Sequence, residues 1–251
     1  EAYGVTTVNY NRDVEIYPVL AAMFEGIYGY CPYKSPTDMG VNMAGNCICD
    51  DEACREASGQ EIIRRYYQTL VNIARGKSKE EPAQKIELLM NQAGVTIQDR
   101  KVVAAALNRA QETQSPAAAL ELPDGRIITG KTSNLLGASA ALLLNVLKEL
   151  AGLGHELHII SPEAIEPIQK LKVDYLKSRN PRLHTDEVLI ALSTSAAANE
   201  DARLALEQLP KLHGCQAHTS VMLSDVDIKT FQKLGVQLTC ESVYESGHGY
   251  Y

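Results

Sequence analysis

The sequence predicts an α/β protein: a helical subdomain followed by a three-layer αβα sandwich built on a mixed sheet. Three observations carry that expectation. Between residues 59 and 113 apolar side chains recur with a helical period. At "TQSPAAALELPDGRIITG" the period changes, and "PDG" separates two short apolar runs as a hairpin turn would. From there onward short apolar runs alternate with amphipathic ones, the order of a sheet covered by helices on both faces.

Residues 1–58 are rich in Tyr, Gly, Pro and Asn, and "YGYCPYKSPTDMGVNMAGN" is expected to be irregular. Only Val14 to Glu25 carries helical texture, with Pro18 near its first turn. The helical subdomain, 59–113, should hold three antiparallel helices. The first places Ile62, Tyr66, Thr69 and Ile73 on one face and stops at Gly76. The second runs between Pro82 and Gly94, and the third carries Val102, Val103, Ala106 and Leu107 as its stripe.

The three-layer domain is expected over 116–244, with 245–251 as a tail and the element order β-β-α-β-α-(α)-α-β-α-β. Hairpin strands "AAALEL" and "RIITG" lead into "ASAALLLNVLKELAG", a helix apolar nearly all round and so buried on several sides. "ELHIIS" reads as a strand and "PEAIEPIQKLKVDYLK" as a helix opened by Pro162. Two helices capped by Thr185 and Asn199 follow, then "CQAHTSVMLS", the helix "DVDIKTFQKLG" and "VQLTCESVY".

Composition excludes several functions. The formal net charge of −7, with no basic run of five, argues against a phosphate-backbone surface, so nucleic acid is not an expected partner. The longest apolar stretch, Leu135 to Leu147, is too short for a membrane span, which takes about 20 residues. Six irregularly spaced cysteines form no disulfide scaffold and suit a reducing, cytoplasmic setting. In "CICDDEAC" a third Cys follows a C-x-C step, but no second pair or nearby His completes four zinc ligands.

The polar candidates sit at element junctions. In the long loop, Lys34, Thr37, Asp38 and Asn42 either cap their own backbone or bind a ligand. "GKTSN" places Lys131, Thr132, Ser133 and Asn134 between the hairpin and the buried helix, where N–H groups and a lysine could meet an anion. It lacks the upstream glycine of a Walker motif. His184, in "RLHTDE" at a helix start, is either a ligand-binding residue or a satisfied junction residue. No Ser-His-Asp order stands out. "HELH" at 155–158 is one residue short of H-E-x-x-H.

"VNYNRDVEIYP", "YKSPTDMGVNM", "QEIIRRYYQ", "KIELLM", "ELPDGRIITGKTSNLLGASAALLLN", "ISPEAIEPIQKLK" and "NPRLHTDEVLIALS" together resemble an uncharacterised bacterial family. It is domain-of-unknown-function family 1846, also called uncharacterised protein family 0371. The resemblance runs from Glu1 to about Tyr244 and implies members twice this length. The chain would then be a C-terminal half, cut from a longer protein whose N-terminal half carries a phosphate-loop-like stretch and partners this one. Some members are labelled ATP-dependent peptidases, a label for which these residues supply no catalytic set.

A second stretch, "DGRIITGKTSNLLGASAALL", is similar in course to the cytidine-deaminase fold. The resemblance puts Ser139-Ala140-Ala141 where those enzymes carry a zinc ligand and a proton-shuttling Glu, and "PEAIE" where they carry two thiolates. Zinc deamination is therefore excluded. Ser139, Glu163 and Glu166 would make at most an oxygen site for a hard cation, unless the carboxylates simply complement a helix dipole.

Two functions follow. One is a module of a nucleotide- or phosphate-ligand-handling protein, its site shared with the N-terminal half; the chain itself requires no cofactor, and a nucleotide would belong to the longer protein. The alternative is a non-catalytic structural or homo-oligomerisation domain of degenerate deaminase-like fold. Neither requires zinc, so metal analysis of purified protein should find it well below stoichiometric, and Cys49→Ser should leave the metal content unchanged.

Overall fold

The computed structural model describes residues 10–43 and 50–245, and the chain divides into two compact units between Arg100 and Lys101. Cys47 and Cys49 lie outside the described residues. Among the described residues no group of three or more His, Cys, Asp or Glu is placed to hold a metal, and no helix is long and apolar enough to cross a membrane.

The first unit contains α1 (Tyr10–Tyr28), α2 (Pro36–Met43), α3 (Asp51–Ala74) and α4 (Glu81–Ala93). Over the described part of 1–58, helices stand where an irregular segment is expected. Helix α1 starts earlier than its apolar texture, so Pro18 lies well inside it. Helix α2 is built by local hydrogen bonding. Ser35 Oγ accepts from Asp38 N–H at 3.0 Å, and the Asp38 carboxylate accepts from Lys34 N–H, with Pro36 at the first helical position. Composition rich in Gly, Pro and Asn hid a helix held by its cap rather than by an apolar stripe. Helix α4 ends as expected at Gly94, which adopts φ 65° and returns its N–H to the last turn. Val14, Met39, Ile62, Ile63, Tyr67 and Val71 are buried in this unit.

The second unit begins with α5 (Lys101–Thr113), which the helical period had grouped with the preceding helices. Its stripe, Val102 and Ala106, packs instead on Ala119 in the sheet. Periodicity identifies a helix but not the surface that it covers.

The sheet has the order β2-β1-β3-β4. Strands β1 (Ala117–Glu121) and β2 (Ile127–Lys131) form the expected hairpin, Ala117 opposite Lys131 and Glu121 opposite Ile127. Gly125, at φ 83°, closes its turn with an N–H to Leu122 O. Strand β3 (Gln216–Thr219) runs antiparallel to β1, and β4 (Gln237–Cys240) runs parallel to β3 after a crossover through α10 (Asp225–Lys233). The sheet is therefore mixed. Residues Ala117 to Leu120 are fully buried because helices cover both faces of this central strand. Ala119 meets α5, while Ala118 and Leu120 join the main core with α6 (Ala138–Leu150).

Helices α7 (Pro162–Lys170), α8 (Thr185–Ser195) and α9 (Glu200–Leu206) complete the unit. The strand expected at "ELHIIS" is absent. Lys148, buried at the end of α6, donates to His155 O at 2.6 Å, and Ile159 and Ile160 enter the core from an irregular segment. Lys148 also reaches Leu157 O, inside the expected strand, at 3.5 Å, and both edges of β1 are already filled by β2 and β3.

Gly130 fixes how closely α6 lies on the hairpin. A Cβ there would stand 2.5 Å from Leu142 Cα and 2.8 Å from the Ala141 carbonyl carbon, both backbone. Gly130→Ala should therefore cost about 1–3 kcal/mol through overpacking, read as a lower urea midpoint at unchanged slope.

Candidate functional site

Two helices of the second unit begin side by side. Leu136 and Leu183 form an isolated parallel bridge, in which Leu183 N–H donates to Leu135 O at 2.9 Å and Gly137 N–H to Leu183 O at 3.3 Å. Helix α6 starts just after Gly137 and α8 just after His184. A small, partly enclosed cleft is lined by both starts, by Thr132 from the end of the hairpin, and by Arg182, Asp227 and Glu245.

The two N-termini are finished differently. Helix α8 is capped by a side chain from another helix: Asp227 of α10 accepts from Thr185 N–H and from the Thr185 hydroxyl, both at 2.9 Å on Oδ1. Asp227 Oδ2 accepts from Ser224 Oγ at 2.7 Å and lies 2.9 Å from His184 Nδ1. Helix α6 has Gly137 at its cap position and no side-chain cap. Its first helical bond at this end runs from Ala141 N–H to Gly137 O, so the N–H groups of Ala138, Ser139 and Ala140 have no carbonyl within the helix to meet. Ser139 is 3% exposed, and its hydroxyl forms no hydrogen bond among the described residues.

The charges around the cleft are paired. His184 N–H donates to Glu187 at 2.8 Å; Lys172 donates to Glu187 at 2.7 Å and to Arg182 O at 2.6 Å; Arg182 itself pairs with Glu245. Burial pushes the Asp227 carboxyl up, but hydrogen bonds from His184, Thr185 and Ser224 and the His184 charge more than offset it, leaving it below its ordinary value. The hydrogen bond to Asp227 raises the His184 imidazole, against opposing burial and the Lys172 charge. With Nδ1 held by Asp227, His184 Nε2 has no hydrogen-bond partner among the described residues. It can accept a proton when the ring is neutral and donate one when the ring is charged.

Of the residues singled out in the sequence, Thr132, Ser139 and His184 line this one cleft. Lys131, Ser133 and Asn134 are exposed beside it in sequence: Ser133 Oγ accepts from Leu136 N–H at 3.1 Å, and Asn134 O accepts from Gln169. In the first unit, Asp38 accepts from the Lys34 backbone N–H and the Asn42 amide around the start of α2, Thr37 bonds Ser58 at 2.8 Å, and Lys34 is exposed. Glu163 and Glu166 are exposed on α7, and a backbone N–H and Ser161 hold Glu163 below its ordinary value, as a helix start does. Ser139 lines the cleft, and neither glutamate is among the residues lining it.

Thr185 is the first helical residue of α8 rather than its cap. Asp227, Ser224 and Arg182 were not singled out. Ser224 and Asp227 read as a local cap, S-x-x-D, and Ser224 Oγ does accept from Asp227 N–H at 3.2 Å; the reach of Asp227 to α8 leaves no trace in spacing.

The chain matches "Domain of unknown function DUF1846, C-terminal" over residues 98–250 and "Domain of unknown function DUF1846, N-terminal" over residues 1–94. Both family domains are thus represented, which corrects the expectation of a C-terminal half alone. UPF0371 proteins of Corynebacterium urealyticum and Corynebacterium aurimucosum are 57% and 58% identical over 97% of this chain and 49% of their own length. One from Streptococcus thermophilus is 54% identical over 98% of the chain and 50% of its own length. The chain spans about half the length of these relatives.

The His184–Asp227 pair sets a pH signature. His184 is raised above its ordinary 6.5, so its contribution to stability is full below 6.5 and is lost as pH rises through the raised value. Asp227 is lowered below 3.8, so its contribution is full above 3.8 and is lost as pH falls through the depressed value. The stability gap between wild type and His184→Gln should therefore shrink on going alkaline. Asp227→Ala, which strands His184 and the α8 start, should cost about 3 kcal/mol or more in chemical denaturation at neutral pH.

Proposed function

This chain belongs to the DUF1846 family, and we propose that its α/β unit seats the anionic group of a small phosphate-bearing ligand at the open N-terminus of α6. The observation that carries this reading is the contrast between the adjoining helix starts. One is capped by a buried carboxylate; the other keeps free N–H groups and a Ser139 hydroxyl that has no hydrogen bond among the described residues, on the same cleft. Free N–H groups at a helix start, with the dipole behind them, favour an anion. Thr132 and Ser139 supply neutral donors, and exposed Lys131 adds positive charge next to Thr132.

A nucleotide or sugar phosphate would present such a group, its remainder lying outside the cleft. The chain's own residues require no cofactor for this role, and we place it in the cytoplasm, where four described cysteines would remain the free thiols that they are here. Zinc deamination is no part of this reading, since Ser139 and Ala141 stand where that chemistry would need a ligand and a carboxylate.

A second reading, a structural or homo-oligomerisation module, draws support from α1, where Val19, Met23 and Ile27 are exposed.

Calorimetric titration separates the two. Inorganic phosphate, or the phosphate of a sugar phosphate or nucleotide, should bind, and Ser139→Ala should weaken it roughly tenfold or more, as loss of a bond to a charged group does. The melting temperature should barely move, because that hydroxyl holds nothing in the free protein. No heat with any of these ligands would leave the structural reading.

A further inference from the structure

We propose that His184 is the titrating member of this seat: its ring, charged and held at Nδ1 by Asp227, donates Nε2–H to the bound oxyanion, so that ligand and proton bind together. The inference rests on the anion seat at α6 and names the group that governs its affinity.

The first ground is geometric. Asp227 is 4% exposed, and its two oxygens receive four groups, from Thr185 twice, Ser224 and His184. A carboxylate fixed this way fixes the ring bonded to it, since Nδ1 has one direction in which to point. The other ring nitrogen belongs to a residue that lines the cleft with Ser139 and has no partner there. Ser139, 3% exposed, lines the same cleft, and its hydroxyl has no hydrogen bond among the described residues.

The second ground is charge. The groups facing His184 are Asp227 from α10, Glu187 from α8, Lys172 from the turn after α7, and the Arg182–Glu245 pair across the cleft. Lys172 is committed to Glu187, and Arg182 to Glu245. Of the cleft-lining cations, Arg182 is neutralised by Glu245 and keeps its charge at every working pH, so His184 is the one whose charge can change near neutrality. The raised imidazole keeps the charged form available closer to neutrality than an isolated histidine would.

A purely structural account makes the pair a lock between α8 and α10. That lock needs Nδ1 and nothing at Nε2, so the two accounts part at the ligand.

Sulfate is the probe, because unlike phosphate it keeps one charge state across the range in which histidine titrates. Its affinity for the 251-residue chain should be level at acid pH and fall about tenfold per pH unit above the His184 midpoint, as for one linked proton. His184→Gln preserves a donor to Asp227 but cannot titrate, and should give weaker, pH-independent binding. Asp227→Asn removes the countercharge and should move the break to lower pH; a lock lost for structural reasons would reduce affinity without moving it. Melting curves at each pH confirm that each variant is folded. Sulfate binding that ignores pH, or that falls alike in wild type and His184→Gln, overturns the role of His184 and leaves the seat intact. Failure of sulfate and phosphate to bind at any pH removes the seat as well.

Discussion

A carboxylate that is 4% exposed stays ionised here because everything it touches donates to it. Leaving such a group without partners costs several kcal/mol, and neutralising it would surrender its hold on the α8 start. Asp227 therefore ties three things at once: the first N–H of α8, the orientation of His184, and the docking of α10 on α8. The strand order depends on that docking as well. Helix α10 is the crossover between the parallel strands β3 and β4, so its position decides where β4 can pair.

The consequence for the site is a division of labour between neighbouring helix starts. Helix α8 is closed both locally, where Glu187 accepts from His184 N–H, and from a distance by Asp227, and His184 lines the cleft between them. Glycine at the cap of α6 has the opposite effect, leaving backbone donors open. The bridge between Leu136 and Leu183 fixes both starts in one place. The same segment is clamped from behind by Lys172, which holds Glu187 and the Arg182 carbonyl. A buried lysine spent in this way costs desolvation and returns a rigid loop.

What could be read from the sequence was whatever is enforced by neighbours in the chain. The hairpin was legible because "PDG" fixes its own turn, and α6 because a helix apolar all round has nowhere to go but inside. Helix α2 was hidden because Ser35 and Asp38 hold it through two hydrogen bonds rather than a stripe. The missing strand at "ELHIIS" had the right texture, but no free edge beside β1 and Lys148 on its Leu157 carbonyl. His184 and Thr132 drew notice as polar groups at junctions. Asp227 did not, since a residue that looks like a local cap gives no hint of a partner more than forty positions away.

The same distinction bears on the deaminase-like stretch. Its "TG" step resembles that of an enzyme family, yet Gly130 has a sufficient cause in this fold: α6 crosses so closely that a Cβ would stand 2.5 Å from Leu142 Cα. Any hairpin covered this tightly by a helix would select glycine there, whatever chemistry the helix carried. The pattern thus reports packing between β2 and α6. The paired groups of this cleft, His184 just before α8 and Asp227 on α10, lie outside the patterned stretch altogether. A likeness confined to the hairpin and its covering helix therefore carries no chemistry, which has to be argued from the elements that the likeness does not include.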